Sequence, residues 1–541
     1  MSRIFKTKTW EQYEAGLAFK RRLQLEDTVW RNECFYRGEQ WGEGDAPSLP
    51  KPVFNVVRRV TDYLIGAVAG GNLSITYADE SIRTDRDADA KAKALRRSVD
   101  LLNRHVAYRW ERCHMDRTVY RLLLDAALSG DGVAYCYWDP KGRGAGPFGG
   151  DIRTINFSNT RLFAADMNVA DIQSQEYLIL SGRESVAALR REAKAAGLSN
   201  EQCRKIRSDA EREATEQRRT PELEGDREAK VTVLTKFWKQ DGVVWFERST
   251  AEVVLRRVRT EQKLYPVAYF NWIPRRNSFH GASPVSCMIP NQKFINRAYA
   301  MVMKHMTDTA FSKVVYDKSR IPEWNGEVGQ AIAAVGGNLA DAVQVVGTGQ
   351  LQDGYMELIE NALSTTKELM GATDTALGSA DATNTSAILA LQEASKTSVQ
   401  AVIASYLQCV EDIAAIWADM MCACYADRRP LPYTDGGVLT TAFADFTALR
   451  QATLLARVEV GNTSRYSASG TQAALDRLLD GGYITLQQYL ECLPSGILPM
   501  RGRLIEQIRA AASAESEAKE GGVTGDADEH ADSGGDDGNA G

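Results

Sequence analysis

The stretch that decides the fold runs from Ser283 to Lys313 and reads SPVSCMIPNQKFINRAYAMVMKHMTDTAFSK. Its apolar residues recur at helical spacing and predict one long amphipathic helix. The apolar stripe consists of Ile295, Ala298, Tyr299, Val302, Met306 and Ala310. Four charged residues fall within roughly 60° of one another around the helix axis and form a second stripe, away from the apolar one. They are Lys293, Arg297, Lys304 and Asp308.

Two further long helices are predicted downstream. One begins near Asp353, where apolar residues again recur at helical spacing. The other begins in the cluster Thr383-Asn384-Thr385-Ser386, a good N-cap region, and continues without Gly or Pro through Met421. A loop rich in Gly, Ser, Ala, Asp, Asn and Thr separates the two.

These helices are long for a compact enzyme. At 1.5 Å per residue, the first would extend roughly 40 Å and the third roughly 60 Å. Helices of this length need neighbours along their whole surface. Either a helical domain within one chain or a ring of identical chains would supply them.

The chain outside this region has an α+β pattern in its N-terminal half, whereas the C-terminal half is predicted to be nearly all helix. Helices are expected over 10–37, 56–71, 86–128 and, in a charged stretch, 184–230. Strands are expected over 133–138, 153–157, 177–181 and 266–272, and the best hairpin joins 231–239 to 243–247 through Gln240-Asp241-Gly242.

Composition is that of a soluble globular chain. The 541 residues are 44% apolar and 25% charged, and this length corresponds to roughly three to four domains. No uncharged apolar run reaches about 18 residues, so no membrane-spanning segment is predicted. The N-terminus lacks the apolar core of a secretory signal, which predicts that the protein stays in the cytosol where it is made.

The net charge of −6 is unevenly distributed. Residues 511–541 contain nine acidic residues against Lys519 alone, while the first 510 residues carry 64 basic and 62 acidic residues. The acidic segment is Gly-, Ala- and Ser-rich without aromatic residues, so we expect it to be disordered. It would serve as a solvated spacer or as an acidic docking tail.

Signatures of catalysis are lacking in the sequence. It contains no G-x-x-x-x-G-K-[ST], no H-E-x-x-H and no G-x-S-x-G, and its nine cysteines form no C-x-x-C pair. No catalytic residue, metal site or cofactor is therefore predicted. Asp166 and Asp171, which follow a strand, could hold Mg²⁺ as in a nuclease, and this remains the enzyme alternative.

Two sets of motifs resemble the portal proteins of tailed bacteriophages. The first set is Tyr36-Arg37-Gly38-Glu39-Gln40-Trp41 followed by Pro50-Lys51-Pro52-Val53-Phe54-Asn55 and a helix. The second is Tyr265-Pro266-Val267, Gly281-Ala282-Ser283-Pro284 and Asn291-Gln292-Lys293-Phe294-Ile295-Asn296. Asn384-Thr385-Ser386-Ala387 and Leu391-Gln392-Glu393 are similar to the family's channel loop and following helix. The order of these motifs carries the resemblance more than any one of them.

The resemblance implies an α+β fold with a mixed N-terminal wing, long stem and channel helices, a small α/β clip and a helical C-terminal crown. Carried onto this chain, the parts are the wing (1–283), stem helix 1 (284–313), the clip (314–351), stem helix 2 (352–375), the channel loop and long helix (376–426), the crown (427–510) and the acidic tail (511–541).

The resemblance also implies a function. It predicts a homododecameric ring at one capsid vertex, through which double-stranded genomic DNA enters during packaging and leaves on infection. The implied partners are the terminase large subunit, the major capsid or scaffolding protein and head-tail adaptor proteins, with no membrane. The protein would be assembled in the bacterial host cytoplasm and reside in the virion.

The charged stripe of the first long helix and the resemblance to portal proteins together give candidate DNA-channel residues. The stem cations are Lys293, Arg297 and Lys304, although salt bridges to Glu357 or Glu360 of the neighbouring helix are an alternative role for them. The loop residues are Ser379, Thr383, Asn384 and Thr385. Each Lys or Arg that neutralises a DNA phosphate adds affinity, and a strongly basic channel would hold the DNA in place. A nearly neutral body therefore suits a conduit better than a strongly basic one. A capsid scaffold or adaptor without a channel is the third alternative.

Overall fold

The computed structural model describes most of the chain. The described residues are 6–42, 44, 48–80, 90–142, 149–209, 230–310, 313–321, 323, 333, 335–338, 342–346, 354–372, 399–425, 428–435, 438–461, 465–493, 504–505 and 507–508. They fall into two compact units. The first unit spans 1–70, 113–142 and 150–424, and the second spans 71–112, 143–149 and 425–541.

Helices and strands are both abundant in the described residues, as the prediction of an α+β fold requires. The helices, numbered along the chain, are α1 (Lys8–Arg22), α2 (Leu25–Arg37), α3 (Val56–Ala69), α4 (Ala90–Arg112), α5 (Met115–Ser129), α6 (Val186–Ala195), α7 (Asn200–Lys205), α8 (Pro284–Ala310), α9 (Gly354–Leu369), α10 (Gln400–Cys424), α11 (Phe446–Gln451), α12 (Arg465–Asp480) and α13 (Leu486–Cys492). The strands are β1 (Asn72–Asp79), β2 (Asp131–Asp139), β3 (Asp151–Asn156), β4 (Leu162–Ala164), β5 (Tyr177–Ser185), β6 (Lys230–Gln240), β7 (Val243–Ser249), β8 (Val254–Arg259), β9 (Val267–Asn271), β10 (Lys313–Tyr316), β11 (Val343–Val346), β12 (Arg428–Asp435), β13 (Val438–Asp445) and β14 (Leu454–Gly461).

Two antiparallel sheets form the centre of the first unit. One has the order β4-β5-β6-β7-β8 and the other β3-β2-β9. Both contribute to a single apolar core, which includes Val133, Leu178, Val267 and Phe279. On the opposite face of the five-stranded sheet, α1 packs through Trp10 and Tyr13 against Phe163, Ile179 and Leu234.

Helix α10 belongs to the core of the first unit. Trp417 is fully buried and its Nε1 donates a hydrogen bond to Thr154 Oγ1 at 2.8 Å, while the ring of Tyr406 contacts that of Phe270. By length and composition alone this helix would also be apolar enough to cross a membrane. Its buried side chains give it instead the packing of a core helix of a globular unit.

The second unit contradicts the prediction of a helical crown. Between 428 and 461 the described residues form β12, β13 and β14, with α11 as a short helix between the last two. Strand β12 pairs with β13, and β14 pairs with β1 from the stretch assigned to the wing. Asp435-Gly436-Gly437 between β-branched residues is a hairpin signal, which Pro430 and Pro432 obscured in the sequence. After β14, the chain forms the helices α12 and α13, as predicted.

Other predictions differ in detail. The helices expected over 10–37 and 86–128 are each two helices, because Gln24 and His114 adopt left-handed φ values of 51° and 50° that interrupt the hydrogen-bond ladder. The charged stretch 184–230 begins as strand β5 and continues as α6 and α7, and its residues 210–229 lie outside the described part. The start of the third long helix, near 383, and the acidic tail also lie outside it.

Candidate functional site

The two helices predicted over 284–313 and 352–375 are present in the first unit as α8 and α9. Helix α8 begins at Pro284 as expected, and α9 begins at Gly354, one residue after the predicted start. They run antiparallel, since Asn291 Nδ2 donates to Thr366 Oγ1 at 3.1 Å while Val302 packs against Ile359. The described segments between them form the antiparallel pair β10–β11, with Lys313 opposite Val346.

The start of α8 is fixed to the sheets by a buried polar cluster around Asp131. This carboxylate accepts hydrogen bonds from the backbone N–H of Gly281 (2.7 Å), from Nδ2 of Asn159 and Asn271 (both 2.8 Å), and it contacts Nδ1 of His280 at 2.7 Å. Burial acts to raise the pKa of Asp131, but these donors outweigh it and leave that pKa lowered. The ionised carboxylate therefore holds the loop that leads into α8.

The motif residues named from the sequence meet in a second polar cluster beside α8. Gln292 Oε1 accepts from the backbone N–H of Val56 at 3.0 Å and so caps α3 together with Asn55. Asn296 Nδ2 donates to Gln40 Oε1 at 2.7 Å, and Gln40 Nε2 donates to Asn55 Oδ1 at 3.1 Å. Three separate sequence motifs are thus parts of one structural joint at the base of α8.

The C-terminal half of α8 and the N-terminal half of α9, which we call the distal half of the helix pair, expose apolar side chains. Ile295 and Val302 are buried, whereas Met301 is 54% and Met306 59% exposed. On α9, Tyr355 and Leu358 are each 51% exposed. Exposed apolar side chains of this size are often found at surfaces that contact another protein.

The predicted cationic stripe of α8 lies on the surface. Lys293 and Arg297 are exposed and Lys304 is 42% exposed in its side chain. Lys304 Nζ forms an ion pair with Asp308 Oδ2 at 3.2 Å on its own helix, and Lys293 Nζ lies 5.8 Å from the centroid of the Phe35 ring. The stripe's facing inside an assembly remains a prediction. The loop candidates Ser379, Thr383, Asn384 and Thr385 lie outside the described residues.

The carboxylates of the enzyme alternative form turns. Asp166 Oδ1 accepts from the N–H of Asn168 at 2.8 Å, and Asp171 Oδ1 accepts from the N–H of Gln173 at 2.9 Å. This self-bonding is the usual role of Asp in a turn. Among the described residues, no group of three or more His, Cys, Asp or Glu side chains is placed to hold a metal ion.

Comparison with protein-family models gives a match. Residues 184–435 match the family model described as Phage P22-like portal protein. The matched stretch is slightly less than half of the chain and contains the hairpin β6–β7, the helix pair α8 and α9, and α10. A comparison with curated proteins finds no match. The family match agrees with the motifs joined at the base of α8, and it confirms the predicted resemblance to the portal proteins of tailed bacteriophages.

Proposed function

We propose that twelve copies of this chain form a closed ring at one capsid vertex, and that double-stranded DNA passes through it during packaging and ejection. The observation that carries this proposal is the exposed apolar surface of the helix pair, to which Met301, Met306 and Leu358 contribute. A head-to-tail contact between identical subunits closes into a ring when its rotation allows. Each subunit's helix pair then covers that surface on its neighbour.

Ring formation would offset the exposure energetically. Burying one Leu or Met side chain contributes about 1.5–3 kcal/mol. Several such side chains on each helix pair, repeated around the ring, outweigh the entropy lost on association. Within one chain, by contrast, α8 and α9 contact one another through a narrow set centred on Ala298, Val302 and Ile359.

The charged stripe of α8 suits a channel through which DNA slides. Lys293, Arg297 and Lys304 offer at most three cations per subunit, and Lys304 is already paired with Asp308. Each cation that neutralises a phosphate adds sequence-independent affinity. A few partly neutralised cations therefore guide the backbone without holding it. We assign weak contacts of the same kind to Ser379, Thr383, Asn384 and Thr385.

The partners of the ring follow from the same proposal. The β10–β11 region would dock the terminase large subunit during packaging and head-tail adaptor proteins afterwards. Another surface of the ring, outside the β10–β11 region, would contact the major capsid or scaffolding protein. The protein would act as a structural conduit in the virion, after assembly in the host cytoplasm, while a separate terminase supplies the chemical energy.

Replacement of the three stem cations tests the channel assignment. In the variant Lys293→Ala, Arg297→Ala and Lys304→Ala, we expect rings to assemble normally, because these side chains lie at the surface and not in the apolar contact between α8 and α9. DNA packaging or retention in particles should change, as measured by the length of DNA protected from nuclease. The matched control replaces three exposed cations elsewhere in the first unit, Lys263, Arg275 and Arg276, by Ala.

Two outcomes would contradict the assignment. If the triple variant forms no rings while the control does, the stripe lies between subunits. If both variants package and retain DNA like the unmodified protein, the stripe makes no contact with DNA.

A further inference from the structure

One face of the five-stranded sheet carries a row of aromatic and cationic side chains. The strand register places Tyr177, Trp238, Trp245 and Arg259 side by side across β5 to β8. The rings of Trp238 and Trp245 stack with centroids 6.2 Å apart and an interplanar angle of 20°. Lys236 Nζ lies 4.8 Å from the centroid of the Tyr177 ring. We call the surface formed by Tyr177, Lys236, Trp238, Trp245, Arg257 and Arg259 the Trp face.

Helix α1 covers only the neighbouring part of the same sheet face. Thr9 Oγ1 donates to Glu247 Oε1 at 2.6 Å, and Gln12 Oε1 accepts from Lys236 Nζ at 2.7 Å. Beyond these contacts Trp238 and Trp245 are half-buried. Trp, Tyr and Arg are the residues that most often contribute binding energy at protein interfaces.

The Trp face ends at an open strand edge. Within the described residues, β8 pairs with β7 and its other edge pairs with no strand. The N–H of Thr260 donates to Val244 O at 3.0 Å. Along an antiparallel strand, residues whose backbone N–H and C=O groups bond to the neighbouring strand alternate with residues whose backbone groups point away from it. Since Thr260 bonds to β7, the backbone groups of Arg257 and Arg259 point away from β7. They offer N–H donors and C=O acceptors for a further strand.

The charge of this edge selects what can pair with it. Three of the six residues of β8 are arginines, Arg256, Arg257 and Arg259, with side chains 48%, 60% and 55% exposed. A charged edge of this kind repels a strand of like charge and so discourages pairing with a second copy of itself. The same charge attracts an acidic strand, whose carboxylates can pair with guanidinium groups.

The two outward arginines are prepared differently for such a partner. Arg257 is held by Glu247, which is 5% exposed in its side chain, through a bond from Nε at 3.1 Å and one from Nη2 at 2.5 Å. Among the described residues, the ion pair of Arg259 is a loose contact with Glu261 at 3.9 Å, which uses at most one of its five N–H donors. Arg259 is therefore the stronger anchor for an incoming carboxylate.

We propose that β8 accepts an extended acidic segment of another protein as a sixth strand of the sheet. Carboxylates two residues apart in that segment lie beside Arg257 and Arg259 on the Trp face. Its backbone completes the hydrogen bonds at the open edge, which is the usual mode of recognition by strand addition.

Nucleic acid fits this surface less well. The Trp238 and Trp245 rings stack on each other, and the Arg257 guanidinium lies 5.5 Å from the centroid of the Trp238 ring. These contacts cover part of the ring surface on which a base would stack. An open strand edge, moreover, offers alternating donors and acceptors that a peptide backbone matches and a phosphodiester backbone does not.

Peptide binding by the full-length chain tests the proposal. The probe is a fluorescently labelled, capped peptide with Glu at alternating positions and Val or Thr between them. A second peptide of the same composition has its Glu residues grouped at one end. By fluorescence anisotropy we expect the alternating peptide to bind at least tenfold more tightly than the grouped one.

Variants at Arg259 separate the charge from the open edge. Arg259→Glu reverses the charge, and Arg259→Pro removes the outward N–H without removing a bond to β7. Both should weaken binding of the alternating peptide at least tenfold, whereas Arg275→Glu, the same charge change at an exposed loop, should leave it unchanged. Circular dichroism verifies that all three variants fold.

Four results would overturn the proposal: no saturable binding of the alternating peptide, equal affinity for both peptides, undiminished binding by Arg259→Glu, or tighter binding of a labelled oligothymidine that Arg259→Glu abolishes. The last result would identify a nucleic-acid surface instead. None of these results depends on whether rings form, so the test is separate from that of the conduit.

Discussion

At the scale of single residues, Lys20 makes a prediction about pH. Its side chain is 1% exposed, its Nζ donates to the carbonyl oxygens of Asn159 and Leu162, and it lies 4.0 Å from the centroid of the Phe163 ring. Burial lowers the pKa of Lys20 to about 7, because the ammonium loses its hydration, although Asp131 and Glu26 oppose the shift. A neutral amine still has the two N–H donors that the two carbonyls need.

The sign of the effect follows from proton counting. The unfolded chain, with a lysine pKa of about 10.4, holds the Lys20 proton between about pH 7 and 10, whereas the folded chain releases it. Folding stability from this group therefore rises with pH across that range. We expect the urea midpoint of the natural sequence to rise from pH 7 to 9.5 relative to that of Lys20→Met.

A matched substitution of an exposed lysine, Lys194→Met, should change the slope of stability against pH little. Parallel pH profiles for the natural sequence and Lys20→Met would show that the buried amine does not titrate in this range.

At the scale of secondary-structure elements, the exposed half of the helix pair predicts how assembly can be broken. Met301→Glu with Leu358→Glu should leave the subunit folded, since both side chains are more than half exposed in the single chain. Association should weaken at least about tenfold, because losing one buried apolar side chain of this size costs more than 1.4 kcal/mol. Sedimentation velocity measures the assembly, and circular dichroism measures the fold.

The control for this prediction introduces the same charges at exposed apolar residues elsewhere, Leu23→Glu and Ile155→Glu, which are 45% and 40% exposed. If the variant of the helix pair assembles as well as this control, the exposed apolar surface does not form the contact between subunits.

Elements with strong periodicity could be predicted from the sequence, and long-range polar contacts could not. The apolar stripe predicted α8 and Ser283-Pro284 predicted its start, and the turn at Gln240-Asp241-Gly242 predicted the β6–β7 hairpin. Gln292 and Asn296, however, are polar and would be expected on an exposed face. They are 1% and 2% exposed because Gln40 and the N-terminus of α3, distant in the sequence, satisfy them.

Strand edges and strand order were equally hidden. Strand β8 reads as a run of arginines, and only its register with β7 shows that Arg257 and Arg259 lie beside the Trp face. In the second unit, β1 and β14 are nearly 400 residues apart in the sequence, yet Asn72 lies opposite Gly461. Local periodicity carries no information about such pairing.

At the scale of the whole molecule, the proposed conduit requires many copies of the chain. Each subunit contributes the joint at Asp131 and Gln292, which fixes the base of α8, and the apolar surface that a neighbour covers. A rigid base and an unsatisfied distal half together favour a closed ring over irregular association.

The most direct test is the mass and symmetry of the purified full-length protein under assembly conditions, by native mass spectrometry and electron microscopy. The account predicts a closed twelve-fold ring with an axial channel and a mass of about 716 kDa, twelve times the 59.7 kDa chain. A monodisperse 59.7 kDa subunit that stays single at high concentration would contradict it.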